Sequence, residues 1–199
     1  MAQWILVIFL IFIILLGILL GHFMAIDIYG KDARNLKLGF LTAASFVIIF
    51  LQNQITWTGV LLSVVSVVLI SAGYTYLEKG ALPKGNIFLL FLCALIFMVY
   101  NFTSEGQIFF KNRLIGAVAV SIPLLIFSKI FKDKGQIGLW EILLAAAGGL
   151  VLGWKAMLVA LAASLIFMCG APKERRLAPF LCAGIWAAAA FYQVIIKVL

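Results

Sequence analysis

Few side chains able to do chemistry lie within apolar sequence. Seven acids are present: Asp27, Asp32, Glu78, Glu105, Asp133, Glu141 and Glu174. Six fall in loops or at the ends of apolar runs, where solvation accounts for them. Glu141 differs, because it stands in Gly138-Leu139-Trp140-Glu141-Ile142-Leu143-Leu144, at the start of an otherwise apolar stretch. A carboxylate there is either held by the positive end of the helix dipole or serves as a catalytic or ligand-binding acid, and the sequence leaves both readings open. Glu78 closes another apolar run, in Tyr76-Leu77-Glu78-Lys79-Gly80-Ala81-Leu82-Pro83. Two carboxylates on one membrane face have the makings of an aspartic-type dyad, one ionised and one protonated. Glu141 and Glu78 are therefore the candidate catalytic pair, set against an interfacial role for Glu78 beside Lys79. His22 is the only histidine and has too few neighbouring ligands for a metal site. Cys93, Cys169 and Cys182 lie inside apolar segments without CxxC spacing and read as small packing residues. No metal and no cofactor is expected. Walker, GxSxG, HExxH and dinucleotide fingerprints are absent.

The elements that must position these residues are membrane helices. Of 199 residues, 66% are hydrophobic and 11% charged, against about 45–50% and about 25% in soluble domains. That composition excludes a soluble enzyme and a disordered tail, and with apolar runs of about 20 residues per span it makes the lipid bilayer the principal partner. The fold expected is all-α and polytopic, one transmembrane domain over residues 1–199. Eight helices are predicted: Trp4–Ala25, Leu38–Asn53, Trp57–Leu77, Ile87–Asn101, Leu114–Phe131, Leu139–Leu152, Ala156–Cys169 and Leu177–Val198. The sixth and seventh are divided at Gly153-Trp154-Lys155, because Lys155 is costly at bilayer depth and roughly 30 residues is long for one span. Gly148, Gly149 and Gly153, with the alanine runs Ala145–Ala147 and Ala187–Ala190, allow close helix approach.

The net charge of +8 does not indicate nucleic acid, because the 15 Lys and Arg sit mostly between apolar runs, where they meet headgroups and set topology. Loops after the odd helices carry eleven of them: Lys31, Arg34, Lys37, Lys79, Lys84, Lys129, Lys132, Lys134, Lys173, Arg175 and Arg176. The opposite side carries four: Lys111, Arg113, Lys155 and Lys197. This bias predicts a multi-pass protein of the cytoplasmic membrane with both termini outside. The first segment reads as a retained helix rather than a cleaved signal, having no basic n-region and no small-x-small site.

Taken in order, these segments resemble the type IV prepilin peptidases, membrane aspartyl proteases of the GxGD class. Leu16-Gly17-Ile18-Leu19-Leu20-Gly21-His22-Phe23-Met24 resembles the family's "LLGLLIGSFLN", with histidine at its serine. Leu82-Pro83 match the Ile-Pro of "YIDLRTRRIPN". Residues 138–154 align without gaps to "GMGDVKLLAALGAWLGW", with Gly138, Ala146, Ala147, Gly149, Leu152, Gly153 and Trp154 identical. Ile115-Gly116-Ala117-Val118 resembles the helix that precedes that motif, and Pro179-Phe180-Leu181 the tail of "PFGPFL". The resemblance implies a prepilin-peptidase-like helix arrangement, and a substrate with a basic leader before an apolar helix.

It also implies that catalysis is lost or altered. Counted back from Pro83, the family's first aspartate falls on Tyr76. Its second falls on Glu141, the second glycine of GxGD on Trp140, and the following lysine on Leu143. The cysteine-rich loop of longer members is replaced by the short connector Ile26–Lys37. Tyrosine, with an unperturbed pKa of about 10, cannot replace a carboxylate in a dyad that shares a proton. Glu78 is two residues from Tyr76, about 200° around a helix. Tyr76, Trp140, Gly138 and Pro83 are thus the expected substrate-binding positions, with Glu141 and Glu78 the candidate acids. The leading expectation is a non-hydrolytic relative that binds prepilin-like substrates or other pilus or secretion components. An active glutamate-using leader peptidase is the alternative, and a small membrane transporter or scaffold the second alternative.

Overall fold

A computed structural model describes residues 36–53, 56–80, 82–105, 107–130, 137–170 and 177–198, together with helical positions at Ile11, Ile14, Leu15, Ile18 and Leu19. Side chains at 36–37, 101–109, 130 and 170 are outside the description. His22, Asp27, Asp32, Asp133, Glu174 and the basic positions from 131 to 136 and from 171 to 176 also lie outside it. The described residues are helical, in order α1 (Leu36–Asn53), α2 (Trp57–Lys79), α3 (Lys84–Glu105), α4 (Gln107–Ile130), α5 (Leu139–Gly170), α6 (Leu177–Ala190) and α7 (Tyr192–Val198). Trp57–Lys79, Phe110–Lys129 and Leu139–Cys169 are long and apolar enough to cross a membrane, and α6 with α7, bent by 72°, makes a fourth candidate. Leu38–Asn53 and Lys84–Tyr100 are shorter apolar helices.

Local chemistry sets the helix ends. Thr56, in extended conformation, accepts from the N–H of Gly59 and starts α2. Gly80 ends α2 in the left-handed region with φ 69°, its N–H donating to Tyr76 O at 2.8 Å. One face of α2 carries Leu62, Val65, Leu69, Ala72 and Tyr76, and one face of α3 carries Ile87, Leu90, Ala94 and Phe97. These steps of three and four residues are the helical period of a buried stripe. Hydroxyls within the bundle turn back onto their own helices, as Ser63 does to Gly59 O, Thr75 to Ser71 O and Ser164 to Ala160 O, so that they add no unpaired polar group to an apolar interior. α4 packs closely along α5, α5 on α6 and α3, and α6 on α2.

The backbone of α5 breaks at Gly153, with φ 76° and ψ 173°, a conformation open to glycine and rare for other residues. This is the point at which the sequence divides its sixth and seventh helices. Packing agrees with a kink there. A Cβ on Gly148 would lie 2.7 Å from Ile185 Cδ1, while a Cβ on the adjacent Gly184 would meet Ala160 O and Ser164. Positions 148 and 160 would stand about 18 Å apart along a straight helix, so the approach of two neighbouring residues of α6 to both fits a kink in α5 at Gly153. The glycines of the motif serve the same closeness. A Cβ on Gly149 would fall 2.6 Å from the backbone of Gly116, and α4 and α5 meet there main chain to main chain.

The bundle therefore has two ends. One holds the α2–α3 turn and Gly138. The other holds Asn53, Trp57, Tyr100, Arg113, Gly153 and Tyr192. Two differences from expectation bear on the site. α4 starts at Gln107 rather than near Leu114, which takes Lys111 and Arg113 out of a loop and into a helix. The last predicted helix is interrupted at Phe191.

Candidate functional site

At the first end, Glu141 occupies the first turn of α5. Its Oε2 accepts the N–H of Gly138 at 2.9 Å, the reach-back half of a capping box, which satisfies a donor left over at a helix start. A Cβ on Gly138 would lie 2.8 Å from that oxygen, so the glycine leaves room for the carboxylate. Glu141 is only 8% exposed, and it lies within electrostatic range of the Cys182 thiol on α6. Its neighbours Leu139 and Trp140 point outward. The carboxylate thus faces into the bundle and stabilises its own helix.

Tyr76 is buried on the core stripe of α2. One turn earlier, a Cβ on Gly73 would sit 3.4 Å from Cys182 Cβ. α2 and α5 accordingly each approach α6 near Cys182. Pro83 precedes α3, whose first residue, Lys84, holds its Nζ 5.5 Å from the centre of the Trp140 ring. That cation–π contact ties the Pro83 turn to the start of α5. Tyr76, Pro83, Gly138, Trp140 and Glu141 are in this way gathered at one end of the bundle. Glu78 is not gathered with them: it is exposed, on the face of α2 opposite Tyr76. The half-turn between positions 76 and 78 expected of a helix is intact, because α2 continues unbroken to Lys79.

This arrangement limits the chemistry. Of the acids whose side chains are described, Glu78 and Glu141, one is exposed and the other buried against its own helix start. A shared-proton dyad needs both within reach of one water. Among the described residues no group of three or more His, Cys, Asp or Glu could hold a metal ion. Cys93 and Cys182 are buried thiols, whereas Cys169 is exposed, and none forms a disulfide. Near the same end, Asn86 Nδ2 donates to Ser71 Oγ at 3.0 Å, linking α3 to α2. Sequence reading passed over this pair, since neither residue lies in a motif.

Among the described residues, buried polar side chains also gather at the opposite end. Arg113, counted from the sequence as a topology-setting loop residue, is 1% exposed. It donates from Nη1 to Leu150 O at 3.0 Å and from Nη2 to the Tyr192 hydroxyl at 2.8 Å. Its guanidinium carbon stands 4.1 Å from the centre of the Phe97 ring. The guanidinium places positive charge where the first half of α5 ends and its carbonyls carry the negative end of the helix dipole. Asn53, also 1% exposed, supplies neutral amide donors to the carbonyls at the second break. Its Nδ2 donates to Ala189 O and Ala190 O at 3.4 and 3.2 Å, and its Oδ1 accepts from Gln193 N at 3.3 Å. The two helix breaks are thus held by two buried polar side chains from α4 and α1. Tyr192, which flanks the second break, bonds the arginine that holds the first. Compared with protein-family models, curated proteins and solved structures, the chain matches none.

Proposed function

We propose that this chain is a non-hydrolytic, prepilin-peptidase-like protein of the cytoplasmic membrane. It holds a prepilin-like substrate, with a basic leader and an apolar helix, or another pilus or secretion component, and does not cut it. The reading starts from the sequence resemblance, and one observation carries its non-hydrolytic part: the Glu141 carboxylate is bonded to Gly138 N–H while Glu78 lies on the exposed face of α2. The exposed Trp140 beside Lys84 and Pro83 is the surface assigned to the bound segment. The proposed topology keeps eight crossings with both termini outside. The eleven-to-four distribution of basic residues supports it, as does the helix break at Gly153. The transporter alternative draws on the adjoining helix breaks, since broken helices are where transporters bind cargo.

The test is to reconstitute the full chain in liposomes with a prepilin and place a photo-crosslinking amino acid at Trp140. Crosslinking without a cleaved product is expected. Turnover that disappears in Glu141→Gln would establish the active peptidase instead. Crosslinking no greater than to an unrelated membrane helix would remove the prepilin reading and favour a transporter or scaffold.

A further inference from the structure

Between the two helix breaks lies a pocket of about 210 Å³, lined on its polar side by Asn112, Arg113, Lys155 and Tyr192 and on its apolar side by residues that include Leu152 and Ile196. We propose that this pocket binds a phosphate group, carried by an anionic lipid whose headgroup enters from the membrane surface.

Four observations converge on that chemistry. First, two basic side chains share the wall of one small cavity, and Arg113 cannot lose its charge. Second, the guanidinium is fixed in place by Leu150 O and the Tyr192 hydroxyl, which gives a planar donor group of the kind that suits phosphate oxygens. Third, the cavity is small and partly open, with room for a headgroup phosphate rather than a folded partner. Fourth, the pocket sits at the end of the bundle where Trp57 stacks near Tyr100 with ring centres 6.4 Å apart, and where Trp154 is partly exposed. Aromatic residues of this kind mark the headgroup level. The helical segment that begins after Gly153 adds its positive dipole end to the same wall. The pocket is at the opposite end from Glu141, so the inference stands apart from the substrate reading above.

The experiment uses the full chain in detergent, with binding read by native mass spectrometry and by thermal shift. The probes are dioctanoyl-phosphatidylglycerol, dioctanoylglycerol and inorganic phosphate. Phosphatidylglycerol is expected to bind and stabilise, and dioctanoylglycerol to do neither. Binding of inorganic phosphate at comparable strength would assign the site to a free phosphate group, and binding of the lipid alone would assign it to a headgroup. Lys155→Gln should weaken binding about fivefold, the effect of one cation near a membrane surface. Ile196→Trp, a change at an exposed position that lines the pocket, should block binding without touching a charge. The proposal is overturned if phosphatidylglycerol binds no better than dioctanoylglycerol, or if either variant keeps wild-type affinity.

Discussion

Replacing Glu141 distinguishes a helix cap from a catalytic acid. Its carboxylate accepts one backbone N–H at 2.9 Å in a partly buried setting, and hydrogen bonds to charged groups contribute about 1.5–3 kcal/mol. Partial solvent access argues for the low end, near 1.5 kcal/mol, and the N-terminal dipole adds about 0.5–1 kcal/mol. Glu141→Gln keeps an acceptor of the same length and retains a neutral hydrogen bond of about 1 kcal/mol. The expected loss is therefore about 1 kcal/mol, a shift of roughly fivefold in the folding equilibrium. Glu141→Ala removes the bond, the charge and the buried methylenes together, and should cost about 2–3 kcal/mol. Gly138→Ala brings a methyl against the same oxygen and should displace the cap. Its effect combined with Glu141→Ala should thus fall short of the sum of the two single effects. The assay is denaturant unfolding in mixed micelles, followed by tryptophan fluorescence and circular dichroism. A Glu141→Ala protein as stable as wild type would refute the capping account. So would full additivity with Gly138→Ala.

Three further outcomes follow from the geometry. Gly153→Ala forces a Cβ into a backbone at φ 76° and should cost about 1–3 kcal/mol; an unchanged unfolding midpoint would contradict a left-handed glycine at the kink. Asn53→Ala leaves the Ala189 and Ala190 carbonyls and the Gln193 N–H without the side chain that serves them, and should destabilise by about 1–3 kcal/mol, whereas Asn53→Asp should recover only the Gln193 bond. In intact cells, an impermeant thiol reagent should label Trp57→Cys and leave Lys84→Cys unlabelled, in a background where Cys93, Cys169 and Cys182 are replaced; the reverse pattern would invert the topology.

Much of the helical layout was legible because apolar runs and their interruptions are local properties. The break at Gly153 could be read from a lysine two residues later and from a run too long for one span. Arg113 could not be read in the same way. An arginine beside Lys111 and Asn112, between apolar segments, has the composition of a loop. What buries it are Leu150 O and Tyr192 Oη, 37 and 79 residues further on. The break at Phe191 was also invisible. Alanines precede it, and no glycine or proline marks it, because the polar group that satisfies it is supplied by Asn53 from another helix. Glu141 shows a different limit. Its sequence position fits a cap and an acid equally, and only the direction of its side chain separates them.

The bond from Asn53 to Ala189 spans 136 residues, and this has a consequence for biosynthesis. At a synthesis rate of about 5–20 residues per second, Asn53 emerges on the order of 7–30 s before its distant carbonyl partners. Throughout that interval an amide destined for a dry interior has no native acceptor beyond its own helix. The half-made protein must keep this end of α1 near lipid headgroups and water, or on the insertion machinery. The arrival of α6 and α7 then acts as a latch. A nascent chain stalled before residue 189 is expected to remain a quality-control substrate, however complete its earlier helices.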